Sequence, residues 1–118
     1  MQIMIGEYCE AIEDGALSIP APWLKDQLWA QPHCRKLEGE GRALVITPEG
    51  EDSETLLVEN GMLNLNDALQ TYLGTKGVVL VGIGKAAELW PAEAWEARRE
   101  RCVEQAESAM DHLLAGLF

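Results

Sequence analysis

The sequence predicts a mainly β fold with capping helices, an α+β unit made of two similar halves that bury each other. The first observation is an internal repeat: Glu13-Asp14-Gly15-Ala16-Leu17-Ser18-Ile19-Pro20 is answered 46 residues later by Glu59-Asn60-Gly61-Met62-Leu63-Asn64-Leu65-Asn66. The second is that each copy opens on a dipeptide, Asp14-Gly15 or Asn60-Gly61, suited to a two-residue hairpin whose turn positions both take positive φ. The third is order. Each copy is followed by a short helix-like run, Trp23 to Leu28 or Ala68 to Leu73, and later by a matching strand, Leu44-Val45-Ile46-Thr47-Pro48 or Glu88-Leu89-Trp90-Pro91. A period of about 45 residues in a chain of 118 leaves neither half enough residues for its own core, so the halves must share one.

Element by element, Ile3 to Ile12 reads as the first strand and Ala16 to Ile19 as its hairpin partner. Pro20 and Pro22 end that strand, and Pro22 suits the first turn of a helix running to about Ala30. Gly39 to Gly41 turns the chain into a strand from Ala43 to Thr47. Pro48 to Ser53 is acidic and joins the halves. In the second half Thr55 to Glu59 and Met62 to Leu65 form the hairpin. Asn66 caps a helix, Gly74 stops it, and Leu69, Tyr72 and Leu73 face inward. Gly77 to Gly82 is a buried strand, and Ala86 to Trp90 follows a glycine-rich turn. From Pro91 to about Ala115 one long helix is expected, ~35 Å from end to end. Its apolar stripe holds Trp95, Cys102, Ala106, Ala109, Met110, Leu113, Leu114 and Leu117. The domain plan is therefore one unit: repeat one about 3–48, an acidic linker about 49–54, repeat two about 55–95, and the C-terminal helix about 91–115.

Composition limits the function. Hydrophobic residues make up 47% of the chain, which supports a packed core. No apolar run approaches the ~18 residues that span a membrane, and Met1 to Glu10 has no basic region before an apolar stretch, so a cytoplasmic location is expected. Cys9, Cys34 and Cys102 contain no C-x-x-C pair and are expected as reduced thiols. Nine Lys and Arg against twenty Asp and Glu give a net charge of −11, a field that repels nucleic acid unless the cations gather on one face. They are scattered, apart from Arg98, Arg99 and Arg101, which stand among Glu93, Glu96, Glu100 and Glu104 and are expected to make ion pairs within the helix.

Chemical motifs are few. Val78 to Gly82 followed by Ile83-Gly84-Lys85-Ala86-Ala87 has the form of a dinucleotide-binding strand and loop. That motif needs a helix to open at the loop, whereas Trp90 and Pro91 follow within a few residues, so a β-hairpin turn is expected. His33-Cys34 and Asp111-His112 are adjacent pairs, and adjacency in sequence does not bring side chains together. Trp23, Trp29, Trp90 and Trp95 have no basic neighbours to make a base-stacking surface and are expected in the core or at subunit contacts. No catalytic residue, metal site or cofactor is predicted, and the chain is not expected to be an enzyme.

Two hairpins with Asp-Gly or Asn-Gly turns, each followed by a short helix, resemble the MraZ family, double-repeat relatives of the AbrB/SpoVT-type DNA-binding fold. The likeness is sharpest from Gly61 to Gly82, continues through Glu88-Leu89-Trp90-Pro91-Ala92-Glu93-Ala94-Trp95, which is similar to the family's E-L-W-x-x-x-x-W junction, and includes Gly15 to Pro20 in the first half. It covers roughly residues 3 to 105. It implies a double-split β-barrel with helical caps, ring-like homo-oligomers, and a transcriptional regulator of the division and cell-wall gene cluster. Asp14, Gly15, Ala16 and Lys25 would then belong to the DNA-binding hairpin. Asn60, Gly61 and Met62 would form the second hairpin, and Met110, Leu113, Leu114 and Leu117 would offer the oligomer contact.

The sequence departs from that family at two places that bear on DNA. Each family repeat reads Gly-Arg-Leu, with the arginine of the first repeat above all on the DNA-facing hairpin; here the positions are Ala16 and Met62. The helix that closes the family's first repeat is missing after Pro48, leaving Glu49, Glu51, Asp52 and Glu54. Residues 1 to 35 hold Glu7, Glu10, Glu13, Asp14 and Asp26 against Lys25 and Arg35. The expected function is a MraZ-like regulator with weakened direct DNA binding. The alternative is an oligomeric module that has lost DNA contact and acts through a protein partner.

Overall fold

The computed structural model describes residues 4–37, 41–48, 50 and 53–103. The strands run in the order β1 (Met4–Ala11), β2 (Ala16–Ser18), β3 (His33–Lys36), β4 (Leu44–Thr47), β5 (Glu54–Thr55), β6 (Leu57–Glu59), β7 (Met62–Asn64), β8 (Gly77–Gly84) and β9 (Ala87–Pro91). Helix α1 is Asp67–Leu73, and a second helix, α2, occupies 92–103. Both hairpin turns form as their residues demand. Asp14 and Gly15 have φ of 51° and 78°, and Asn60 and Gly61 have 52° and 73°, the paired positive values of a tight turn that follows the strands' own twist.

The sheets are arranged about an internal twofold. A six-stranded antiparallel sheet has the order β1-β8-β9-β4-β3-β5, and a three-stranded sheet has the order β2-β7-β6. Exchanging the repeats turns the six-stranded order into itself, with β5 answering β1; in the small sheet it exchanges β2 with β7, and the Glu13–Ala16 bridge answers the pairing of β6 with β7. The registers agree residue by residue. Tyr8 opposite Leu80 is repeated, 46 positions away in each strand, as Glu54 opposite Cys34, and Cys9 opposite Val79 is repeated as Thr55 opposite His33. Val45 faces Glu88 at the centre of the large sheet, and Leu17 faces Leu63 in the small one. The result is the mainly β, double-split barrel of two pseudo-repeats with helical caps.

Alternation puts the intended residues inside. Leu17, Ile19, Leu63 and Leu65 are all buried in one cluster with Met4, Leu28, Leu44, Ile46, Leu80 and Leu89. Pro91 ends β9 opposite Val78, so the last helix starts at 92, one residue later than expected. Because Val79 and Val81 bond β9 while Val78 bonds β1, that strand position needs no amide hydrogen and tolerates proline.

Two further elements differ from expectation. Ala16 to Ile19 is not the hairpin partner of the first strand: β1 pairs along its length with β8 and β2 with β7, so the chain on either side of Asp14-Gly15 meets only at the Glu13–Ala16 bridge. The run after the first hairpin is not a helix to Ala30 but two 3₁₀ turns, Ala21–Trp23 and Gln27–Ala30. In the second repeat Asn66 caps α1 by accepting from the Leu69 amide at 2.9 Å, whereas the matching position in the first repeat is Pro20, which makes no side-chain cap. Asp26 then takes an extended conformation and its carboxylate accepts from the Leu28 amide at 2.9 Å, so it restarts the chain where Tyr72 carries α1 forward. Gly74 closes α1 in the left-handed conformation.

Helix α2 lies on the outer face of the large sheet, over Val79, Val81 and Trp90. Its arginines do more than pair within the helix. Arg99 reaches Glu96 at 3.6 Å but also Glu7 of β1 at 3.7 Å, and Arg98 stands 3.9 Å from Glu88 with its guanidinium over Trp90 and Trp95. Stacking on two indoles contributes more here than an exposed ion pair does, because the rings exclude water from one side of the cation. Met110, Leu113, Leu114 and Leu117, Asp111-His112, and the end of the expected helix lie outside the described residues.

Candidate functional site

The small sheet brings the two hairpins together. Strand β2 pairs with β7 through Ala16–Asn64, Leu17–Leu63 and Ser18–Met62, and β7 pairs with β6 through Leu57–Asn64, Val58–Leu63 and Glu59–Met62. Two further bonds extend the pairing symmetrically: Ile19 N–H to Gly61 O at 3.0 Å and Leu65 N–H to Gly15 O at 2.8 Å. Since opposed residues share a face, Leu17, Val58 and Leu63 turn to the core and the others turn outward. The outer face has two rows, Glu13-Ala16-Asn64-Leu57 and Ser18-Met62-Glu59, with Glu13 added by its bridge to Ala16.

This face contains both positions at which the family resemblance expects arginine. Ala16 and Met62 lie on it as neighbours on a diagonal, and each has a glutamate directly opposite, Glu13 or Glu59. Met62 accepts a hydrogen bond from the Ser18 hydroxyl at 3.4 Å, and Asn64 donates to the Leu57 and Met62 carbonyls at 3.3 Å. The pairings put no cation on it.

The turns themselves are seated on the opposite repeat's cap. A Cβ on Gly15 would lie 3.0 Å from Gln70 Nε2, whose amide bonds the Leu65 carbonyl at 2.9 Å. A Cβ on Gly61 would lie 3.4 Å from Leu24, the repeat counterpart of Gln70. Lys25 therefore follows a residue that touches the second hairpin's turn, and its side chain is exposed. Asp14 and Asn60, at the two turn tips, are also exposed. The residues that sequence reasoning missed are Ser18, Leu57, Glu59 and Asn64 as members of one surface. Their alternation was legible, but their neighbours across the repeats were not.

Other motifs resolve into structure. Strands β8 and β9 form an antiparallel hairpin, with Ile83 N–H bonded to Ala86 O at 3.0 Å, so Gly82-Ile83-Gly84 is no phosphate loop. Gly82 is required for a different reason: its Cβ would fall 2.7 Å from the Met4 carbonyl and 2.8 Å from Trp23. Cys34 is buried, and burial first, then Glu54, pushes its thiol up to about 11, so it is protonated and unreactive near neutrality. His33 Nδ1 is 3.5 Å from the Thr55 hydroxyl, at the limit of a hydrogen bond. Among the described residues no group of three or more His, Cys, Asp or Glu is placed to hold a metal. Among them also, no helix is long and apolar enough to cross a membrane.

No protein-family profile matches the chain. Two curated relatives do, both named "Transcriptional regulator MraZ", from Corynebacterium glutamicum strain R and strain ATCC 13032. Each is 33% identical over 80 residues, which cover 67% of this chain and 56% of the relative. The chain thus spans about half the length of the relatives it matches. With that identity, the symmetric order of the six-stranded sheet and two turns of one kind set 46 residues apart, this chain belongs to the MraZ family, as a divergent member.

Proposed function

We propose that this chain is a MraZ-type transcriptional regulator of the division and cell-wall class whose direct DNA binding is weakened. One observation carries the second half of that reading: Ala16 and Met62 stand on an open face with Glu13 and Glu59 opposite them. Each phosphate neutralised by a cation contributes about −0.9 to the salt slope of binding, and a bidentate arginine on guanine adds ~1–3 kcal/mol of discrimination. A face with neither cation nor guanidinium forgoes both terms, and the acids add repulsion. Repetition in a homo-oligomer multiplies that repulsion as well as any contact. The protein works in the cytoplasm, without cofactor and without catalysis.

The test is a binding measurement between the purified chain and its own upstream DNA, at low salt and at ~150 mM. The expected result at the higher salt is nothing tighter than ~10⁻⁴–10⁻⁶ M, the nonspecific range. A nanomolar complex there would restore an ordinary DNA-binding regulator.

A further inference from the structure

We propose that the outer face of the small sheet is a docking surface for a basic protein segment, one that carries an aliphatic residue between two arginines or lysines. The inference rests on the reading that this face has given up DNA. Two of the large hydrophobic side chains that stand exposed, Leu57 at 57% and Leu24 at 44%, lie on or beside it, with Met62 half-buried between its rows. Strand pairing fixes the arrangement. Ala16, small and flanked by Met62, leaves a shallow apolar seat at the centre, while Glu13 closes one end and Glu59 the other.

Spacing sharpens the partner's chemistry. Glu13 and Glu59 are separated by three strand intervals and one step along the strands, ~16 Å. An extended segment rises ~3.3 Å per residue and turns alternate side chains to one side. Basic residues four apart, with the aliphatic residue midway, span ~13 Å and bring both charges to the carboxylates with the aliphatic group between Ala16 and Met62. Glu13 with Asp14 at one end of the face and Glu59 at the other outnumber the one neighbouring cation, Lys25, so charge complementarity selects a basic partner. A nucleic acid meets the same groups as repulsion. The face is also distinct from the outer face of the large sheet, which α2 occupies.

The experiment uses the full isotope-labelled chain and a synthetic extended peptide with arginine at its first and fifth positions and leucine at its third. Controls are the same peptide with glutamate for arginine, and a duplex DNA. The arginine peptide is expected to shift the amides of Ala16, Ser18, Met62 and Asn64 in a saturable way, while the glutamate peptide shifts none. Combining Glu13→Gln with Glu59→Gln is expected to weaken binding about tenfold. The pair Glu93→Gln and Glu100→Gln, on exposed α2 positions, is expected to change it less than about twofold. All four sites are exposed, and a melting curve for each variant verifies the fold. Shifts elsewhere, indifference to Glu13 and Glu59, or no binding at millimolar peptide would overturn the proposal. If DNA is also silent, only the docking surface falls; if DNA shifts the same amides more tightly than the peptide, the reading of weakened DNA binding falls with it.

Discussion

Leu17 of β2 and Leu63 of β7 stand directly opposite each other, both with no exposed surface, and each is the other's counterpart 46 residues away in the repeat. The internal twofold therefore passes between them, and the bonds from Ile19 to Gly61 and from Leu65 to Gly15 are one interaction made twice. The molecule's two halves are joined at the same residues that its sequence repeats.

That joint makes a prediction about stability. Leu17→Ala and Leu63→Ala are each expected to cost about 2–5 kcal/mol in urea unfolding, through lost burial and the cavity left behind. Because both remove one shared contact, the double variant should lose less than the sum by about 0.5 kcal/mol or more. Strict additivity would mean that the two side chains do not meet.

The hairpin face makes a prediction about DNA. On the proposed reading, in which the resemblance implies that the first hairpin faces DNA, Ala16→Arg should strengthen binding more than Met62→Arg. Titration of both variants against the same duplex at two salt concentrations checks this, with the salt slope growing by about 0.9 per new phosphate contact. An inert Ala16→Arg variant would mean that the acids opposite still dominate, and Glu13→Gln is then the next change.

Gly82→Ala should destabilise by about 3 kcal/mol, near the upper end of overpacking costs, because one obstacle is the Met4 backbone rather than a side chain that can swing away. Gly84→Ala offers a contrast. Its Cβ would meet nothing, but its φ of 93° strains any other residue, so a smaller loss of about 1 kcal/mol is expected. Thermal melts of the two variants separate crowding from backbone strain.

Cys34 predicts a pH response. Its thiol rises from an ordinary 9.0 to about 11 in the folded chain, so folding favours the protonated form. The stability it contributes is complete below about pH 9 and is lost as pH climbs through 11. Alkylation at pH 7.5 should modify the exposed Cys9 and Cys102 readily and Cys34 only after unfolding, as mass spectrometry of the modified sites would read. Equal rates at Cys9 and Cys34 would show that the β3 strand opens freely.

Much of this fold was legible because its signals are local. Asp14-Gly15 and Asn60-Gly61 dictate turns through φ alone, Asn66 and Gly74 bound α1, and alternation fixes which way Leu17 and Leu63 face. The two 3₁₀ turns after Pro20 were not legible: Pro22 suited the first turn of one helix, but Asp26 accepting from the Leu28 amide, with no cap available at Pro20, decided otherwise. The docking of Arg98 on Trp90 and Trp95 was also out of reach, since local glutamates offered an equally good partner.

By itself, the sequence determined the repeat, the turns, the strand faces, the acid excess and the uncharged residues, Ala and Met, at positions 16 and 62. Tertiary structure decided which strands meet. It crossed the two hairpins, so that Glu13, Ala16, Met62, Leu57 and Glu59 became one surface, and it laid α2 across β1, β8 and β9. The physical reason is range. Turn and cap chemistry acts within four residues, whereas a surface is a product of pairings between segments far apart in the chain, and these become favourable only when both halves close the same core.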